Sequence, residues 1–179
     1  MHARTPRLAL REFTTSDIPS IYALESLPEV VRYQTWPPRT LAEAWTVVHE
    51  IIANRERSPR QHVELAVELH DGTFLGRVGA WVDEGKASLW FAFMPDAWGR
   101  GYATEAMRAF IPLLGRVKLE IECDPRNTGS WKLAERLGFV KESLTENVKE
   151  VKGEWVGSLV YKMAAWSKIE NDLGHGTGI

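Results

Sequence analysis

The sequence contains little of what marks several common classes of protein. Among its 179 residues, Cys123 is the only cysteine, so an internal disulfide is excluded and a reducing compartment is expected. Lysine and arginine together number 22 against 24 acidic residues, whereas a dedicated nucleic-acid-binding protein usually carries a basic excess. The five histidines do not fall at ligand spacing, so no metal site is expected.

Long apolar runs are also missing. No stretch approaches the roughly 18 consecutive apolar residues of a membrane-spanning helix. The first residues, MHARTPRLAL, lack the apolar region of a signal peptide. We therefore expect a soluble, cytoplasmic protein without a membrane or nucleic-acid partner. With 44% hydrophobic residues, the chain can form one core without a disulfide or metal.

Helical and strand patterns alternate along the chain without a composition shift that would mark a second domain. The period of the apolar residues and the turn residues between them predict the order β-α-α-β-β-β-α-β-α-β-β. The predicted helices cover 15–25, 40–57, 99–114 and 129–137. The predicted strands cover 8–13, 63–69, 74–82, 87–93, 117–123, 139–143 and 154–163.

The segment 98–105, WGRGYATE, is the first candidate ligand site. Its glycines and alanine stand between a predicted strand and a predicted helix, where small residues let backbone amides approach a ligand. A helix N-terminus carries about half a positive charge, which favours an anion such as a pyrophosphate. Glycines here also serve a tight turn, and that alternative stays open. The dinucleotide fingerprint G-x-G-x-x-G does not fit, because Thr104 occupies its third glycine position.

A second motif begins at Asn127 and ends at Gly138-Phe139, with Ser130 one helical turn after Asn127. Asn127 stands where a helix is predicted to begin, so its side chain would cap that helix or bind an amide-bearing ligand. Taken alone, the motif is also typical of an ordinary capped helix that ends in glycine. Its position, one predicted strand after the glycine segment, makes the pair informative.

The two motifs, G-x-G-x-A and then N-x-x-S followed by G-F, resemble the GNAT superfamily of N-acetyltransferases. Further segments are similar to its RimJ/RimL-type branch of ribosomal-protein N-terminal acetyltransferases, namely 5–11, 36–40, 99–106 and 124–127. The similarity implies one α/β domain at residues 1–163, with a mixed, mostly antiparallel central sheet of about seven strands and about four flanking helices. Residues 164–179 would form a C-terminal tail, whose polar, Gly-rich end favours disorder.

The resemblance implies acetyl-CoA as co-substrate, bound without a metal. The strand end at Phe93 and Met94 would bind the pantetheine arm and supply the oxyanion donor, and 98–104 would bind the pyrophosphate. The family's glycine motif commonly opens with Gln or Arg where this chain has Trp98, which is expected to be tolerated because backbone amides make most of those contacts. The residues assigned to the cofactor are Phe93, Met94, Trp98, Gly99, Arg100, Gly101, Tyr102, Ala103, Thr104, Asn127 and Ser130.

The resemblance also implies direct attack of an amine on the thioester, without an acyl-enzyme. Ser130 would stand near the sulfur as proton donor, because the position where other GNAT branches carry a tyrosine is Ala134. We expect Glu150 to be the general base, although the residue that aligns with the branch's usual glutamate is Lys149. Glutamates in this region also fit a solvated surface. Two further carboxylates are alternatives for the base, Glu146 and Glu122.

The acceptor is expected to be a primary amine, either a protein N-terminus or a small molecule, and the sequence does not distinguish the two. By resemblance, Tyr33 and Trp36 lie in the segment that lines the acceptor site, with core packing an equal alternative for each. Relatives often pair across a sheet edge, which makes a homodimer a candidate assembly. Because of Lys149, a non-catalytic acyl-CoA-binding or sensing module remains an alternative function.

Overall fold

One sheet of eight strands forms the centre of the computed structural model, which describes residues 1–164. In chain order the strands are β1 (Ala3–Arg4), β2 (Leu8–Arg11), β3 (His62–Leu69), β4 (Phe74–Asp83), β5 (Lys86–Phe93), β6 (Lys118–Cys123), β7 (Val140–Val151) and β8 (Glu154–Met163). The helices are α1 (Ile18–Glu25), α2 (Pro28–Val31), α3 (Leu41–Arg55), α4 (Tyr102–Phe110) and α5 (Thr128–Arg136). No helix in residues 1–164 is long and apolar enough to cross a membrane.

The predicted mixed, mostly antiparallel sheet is confirmed. The strands lie in the order β1-β2-β3-β4-β5-β6-β8-β7, and every neighbouring pair is antiparallel except β5 and β6. That parallel pairing joins 86–88 to 118–120 and then stops, although both strands continue. The two strands therefore diverge and leave a gap in the middle of the sheet. The structure has two elements that were not predicted, β1 and α2. Each is too short for its apolar residues to show a strand or helix period.

The predicted ends of two other elements are wrong. β7 runs to Val151 rather than to Ser143, because all its residues but the last are exposed and no alternation of apolar residues marks it. Its pairing with β8 defines it instead. α4 ends at Phe110, and a 3₁₀ turn then holds Pro112 near its start, where the missing N–H breaks no interior helical bond. The predicted tail, 164–179, lies outside the described residues except for Ala164.

The two faces of the sheet pack against different helices. On one face, α4 and α5 contribute Met107, Phe110 and Leu133 to the main core. On the other face, α1 and α3 form a smaller cluster that contains Ile21 and Val48. The sheet thus separates two helical layers, and the gap between β5 and β6 is an opening from one face of the sheet to the other.

A buried ionic cluster ties α1 to the sheet. The Arg77 guanidinium on β4 donates to Glu25 at the end of α1 and, over 2.7 Å, to Glu64 on β3, and all three residues are buried. Burial raises the pKa of Glu64, but Arg77 and His62 together outweigh this effect and the pKa is lowered, so Glu64 stays ionised. Arg39 lies 2.8 Å from the second Glu25 oxygen, in an ion pair without hydrogen-bond alignment. The cluster therefore holds the segment between Glu25 and Arg39 against the sheet.

Replacing Arg77 by methionine should destabilise the fold by about 3–5 kcal/mol, because the substitution leaves buried carboxylates without their cation. Urea unfolding followed by circular dichroism measures this loss. Arg55→Met is the matched control, since the Glu56 side chain that Arg55 contacts is 76% exposed and exposed ion pairs contribute little. Equal effects of the two substitutions would show that the cluster does not stabilise the fold.

Candidate active site

The end of β5 directs backbone groups into the gap beside β6. The Met94 N–H donates to the Leu75 carbonyl over 2.8 Å. Because successive residues of a strand direct their backbone groups to alternate sides, the N–H groups of Phe91 and Phe93 point away from β4 and into the gap. The Phe93 carbonyl accepts a hydrogen bond from Trp98 Nε1 over 2.8 Å, which fixes the indole at the gap.

Sequence reasoning selected Phe93 and Met94 at this strand end, and the structure distinguishes between them. The Met94 carbonyl accepts a hydrogen bond from Ala97 N–H over 2.9 Å, so both backbone groups of Met94 are engaged within the protein. Met94 is therefore not a donor to the gap. Phe91, which sequence reasoning missed, is one. Only the register between β4 and β5 reveals this, because a single strand does not show which residues bond to which neighbour.

α4 begins directly after two glycines in the left-handed region of backbone conformation. Gly99 has a φ of +72° and Gly101 a φ of +78°, values that other residues rarely adopt. The first helical bond runs from Glu105 N–H to the Gly101 carbonyl over 3.1 Å. The amides of 102–104 therefore precede it and have no helical acceptor. Free amides and the helix dipole together make this turn a site for an anion.

Arg7 lies over the glycine segment, and sequence reasoning missed it as a site residue. Its Nη1 donates to the Arg100 carbonyl over 3.0 Å, its Nε donates to Glu105 over 2.6 Å, and its Cζ lies 4.5 Å from the centre of the Tyr102 ring. The Thr5 hydroxyl also donates to Glu105, over 2.5 Å. Burial raises the pKa of Glu105, but the hydrogen bonds from Thr5 and Arg7 lower it by a larger amount, so the net shift of the pKa is downward. Arg7 and Glu105 thus form an ion pair beside the helix N-terminus.

Asn127 and Ser130 lie together at the start of α5. Asn127 Oδ1 accepts a hydrogen bond from Ser130 N–H over 3.2 Å, which confirms the predicted cap. Ser130 is buried, and it lies near the Cys123 thiol at the end of β6. Burial raises the pKa of Cys123, and the Ser130 hydroxyl opposes the increase only in part. Ser130 is therefore held beside the end of β6, on the α5 side of the sheet.

The strand end, the glycine segment and the start of α5 open into one cleft of about 1930 Å³. Two of the residues predicted for the cofactor, Met94 and Arg100, are not part of its lining. Arg100 contributes instead the carbonyl that accepts the hydrogen bond from Arg7. The other predicted residues line the cleft: Phe93, Trp98, Gly99, Gly101, Tyr102, Ala103, Thr104, Asn127 and Ser130.

The segment after α1 borders the opposite end of the cleft. Tyr33 lines the cleft there. Trp36 does not, and its ring packs under the Arg39 guanidinium, whose Cζ lies 4.8 Å from the ring centre. The hairpin between β7 and β8 reaches the same segment, because Lys152 Nζ donates to the Val31 carbonyl over 2.7 Å. Of the two predicted acceptor-site residues, the structure brings only Tyr33 into the cleft.

The two strongest candidates for the base point to opposite faces of the sheet. Glu122 on β6 accepts a hydrogen bond from the Ser158 hydroxyl over 2.7 Å, and its cross-strand partner is Val160. Glu150 pairs with Trp155. Both glutamates are exposed, and neither lines the cleft. Cross-strand partners share a face and neighbours along a strand alternate, so Glu150 and Glu122 have opposite directions. Their partners on β8, Val160 and Trp155, are five residues apart, which is about 16 Å at the usual rise per strand residue.

Comparison with known proteins agrees with this architecture. A family model described as the acetyltransferase (GNAT) domain matches residues 7–140. A relative from Bacillus licheniformis, the uncharacterized N-acetyltransferase p20, is 26% identical over 167 residues. The matched region covers 89% of this chain and 93% of that relative. The similarity therefore extends over nearly the whole length of both proteins.

Solved structures show the same fold. RimL, a ribosomal L7/L12 alpha-N-protein acetyltransferase in complex with coenzyme A, matches with a TM-score of 0.81 at 17% identity, over 91% of this chain and 97% of that chain. A Salmonella typhimurium acetyltransferase that modifies the N-terminal serine of ribosomal protein L7/L12 has a TM-score of 0.79 at 15% identity, over 89% and 95%. MccE, a microcin C7 self-immunity acetyltransferase in complex with acetyl-CoA and AMP, matches with a TM-score of 0.78 at 17% identity, over 89% of this chain and 93% of that chain.

The RimL-type neighbours share the fold of this chain at 15–17% identity. The family match covers most of the chain, including the glycine segment and the start of α5. This chain therefore belongs to the GNAT family of N-acetyltransferases, which are acyltransferases that act on amines.

Proposed function

We propose that this protein transfers the acetyl group of acetyl-CoA to a primary amine by direct attack of the amine on the thioester. The observation that carries the proposal is that an anion-binding helix N-terminus and a gap with free backbone donors open into the same cleft. A long cofactor with a pyrophosphate at one place and an amide-bearing arm at another needs both. A simple tight turn at the glycines would need neither.

The residues at the glycine segment fit a pyrophosphate. The amides of 102–104 are free of helical acceptors, and Arg7, which is paired with Glu105, holds the turn before them through the Arg100 carbonyl. Trp98 stands where the family commonly has Gln or Arg, but its indole N–H is already bonded to the Phe93 carbonyl. The contacts to the pyrophosphate would therefore come from the backbone amides and not from a side chain at position 98. The pantetheine arm would then lie along the backbone of Phe91 and Phe93.

The chemistry requires a nitrogen–carbon bond to form, the carbon–sulfur bond to break, one proton to leave the amine and one to reach the sulfur. The N–H groups of Phe91 and Phe93 are directed to the place where an oxyanion would develop. Ser130, held beside the end of β6, would donate the proton to the departing thiolate. The amine itself titrates near about 8 for an N-terminus or 10.4 for a lysine, so a base must accept its proton.

For the base, the geometry favours Glu122 over Glu150. Glu122 immediately precedes Cys123, whose thiol lies near Ser130, so we place Glu122 close to the level of the proposed sulfur position. Its side chain points to the opposite face, where an acceptor could enter without meeting the cofactor arm. Ser158 holds one of its oxygens and leaves the other free to bind a water or the amine. Glu150 lies farther along the sheet and on the other face.

The acceptor belongs to one of two classes, a protein N-terminus or a small primary amine. The RimL neighbours act on the N-terminus of ribosomal protein L7/L12, which makes peptide N-termini the first acceptors to test. A panel that combines peptide N-termini, polyamines and amino sugars, read by thiol release, distinguishes the two classes. Tight cofactor binding without turnover on any member of the panel would favour a non-catalytic acyl-CoA-binding module instead.

Gly101→Asp should weaken the binding of acetyl-CoA by more than about tenfold, because it places a negative charge at the proposed pyrophosphate site. Isothermal titration calorimetry measures the dissociation constant. Gly85→Asp is the control, since Gly85 also has a positive φ, +75°, and open space around it but lies in a hairpin away from the cleft. If the wild-type protein does not bind acetyl-CoA, or if both variants bind alike, the cofactor site is not where we place it.

Glu122→Gln should lower kcat/KM by about 100-fold or more and move the rising limb of the pH profile towards the pKa of the amine, because the base is lost. Glu150→Gln serves as the comparison and should leave rate and profile close to wild type. Steady-state kinetics across pH, with acetyl-CoA affinity measured in parallel, separates catalysis from binding. The opposite pattern, with the loss confined to Glu150→Gln, would assign the base to the hairpin.

The Cys123 thiol should titrate at a higher pH in the folded protein than in the protein unfolded in urea, where the usual value is about 8.5. Burial raises its folded pKa, so less thiolate is present at any given pH. The pH dependence of iodoacetamide alkylation, followed by mass spectrometry, gives both midpoints. A lower midpoint in the folded state would indicate an activated nucleophile and would count against direct transfer.

A further inference from the structure

The segment 26–38, between α1 and α3, forms a loop whose two ends meet. The Arg39 N–H donates to the Glu25 carbonyl over 2.9 Å, and Arg39 Nε lies 2.8 Å from a carboxylate oxygen of Glu25. The chain thus leaves the helical layer and returns to it at one point, which is the arrangement of an Ω-loop. Contacts at the two ends fix where such a loop begins and ends. They do not fix the position of its outer part.

Burial of apolar side chains holds the outer part of the loop only weakly. Among residues 26–38, all of which the structure describes, Val31 is the one buried residue. Neither core cluster within residues 1–164 includes a residue of this loop. A loop with few buried apolar contacts opens locally at a low cost in free energy. The position of its outer part therefore depends on individual polar contacts.

Lys152 supplies such a contact from the other half of the sheet. It forms the two-residue turn between β7 and β8 together with Gly153, and their φ values of +52° and +82° fit a tight hairpin turn. Its Nζ donates over 2.7 Å to the carbonyl of Val31, the last residue of α2. β7 and β8 lie on the β6 side of the gap, whereas α1 and α3 pack on strands of the other side. The hydrogen bond therefore joins the two halves of the sheet across the gap.

The part of the loop that Lys152 holds is the part that lines the cleft. Val30 and Arg32, the residues on either side of Val31, both line it. The Val31 carbonyl also accepts a hydrogen bond from the Gln34 N–H over 3.0 Å, and Gln34 lines the cleft as well. A displacement of this carbonyl would thus displace the lining on both sides of it. Lys152 itself does not line the cleft, so it acts through the loop and not by touching a ligand.

We propose that Lys152 is a positioning residue for the amine acceptor, because its bond to Val31 holds the acceptor end of the cleft in one conformation. With the loop held, Tyr33 and its neighbours lose less conformational freedom when the acceptor binds. Without the bond, only a fraction of the molecules has the loop in place, and the apparent affinity for the acceptor falls by that fraction. The assignment rests on the proposed function, because it concerns the same cleft. It leaves the cofactor site at the glycine segment unaffected.

Hydrogen exchange followed by mass spectrometry tests whether Lys152 holds the loop. Lys152→Met keeps the length of the side chain and removes the ammonium, so the amides of 26–38 should exchange about fivefold faster, as expected for the loss of one modest hydrogen bond. Lys152→Arg should restore slow exchange, since a guanidinium also donates. Lys141→Met is the matched control, because Lys141 is exposed on β7 and does not line the cleft. Exchange as slow in Lys152→Met as in wild-type protein would contradict the proposal.

Steady-state kinetics, read by thiol release, tests the effect on the acceptor. The probe is whichever of three amines wild-type protein acetylates fastest: a peptide with an N-terminal serine, spermidine or glucosamine. Lys152→Met should raise the KM for that amine about fivefold and leave kcat and the dissociation constant of acetyl-CoA within about twofold of wild type. Faster exchange with an unchanged KM would overturn the positioning role. If wild-type protein acetylates none of the three, this role fails together with the proposed function, whereas the exchange result still decides whether Lys152 holds the loop.

Discussion

The early end of the parallel pairing between β5 and β6 is the constraint on which the active site depends. Pairing stops at Ser88 and Glu120, and beyond that point β5 keeps its bonds to β4 while β6 keeps its bonds to β8. Backbone donors inside a sheet are normally paired, so a sheet offers them to a ligand only where two strands part. The gap also connects both faces, and a cofactor and an acceptor can meet there from opposite sides.

The anion site at the start of α4 is made by the backbone rather than by a surplus of basic side chains. The free amides of 102–104 provide it, and Arg7, which forms an ion pair with Glu105, holds the turn before them. The protein carries a formal net charge of −2, so this site is a local feature and not the consequence of a basic protein. Glu105 matters because its ionised carboxylate fixes the direction of Arg7.

Burying the charges of Arg77, Glu25 and Glu64 costs desolvation free energy, but the cluster positions a neighbouring segment of the chain. It anchors the end of α1, and through Arg39 it also anchors the segment just before α3. The segment between α1 and α3 contains Tyr33, which lines the cleft. The hairpin residue Lys152 supports the same segment from the other side. Rigid placement of a segment that lines the cleft is a physical reason to retain charges in a core.

The sequence by itself determined the features that depend on neighbours along the chain. The Thr40–Glu43 capping box, the Asn127 cap and the glycines with positive φ before α4 act within a few residues and were predictable. Tertiary structure alone decided which backbone groups face the gap, the placement of Arg7 on Glu105 across 98 positions, and the opposite directions of Glu122 and Glu150. Strand register and long-range ion pairs depend on how distant segments of the chain pack together. A local sequence pattern does not predict that packing.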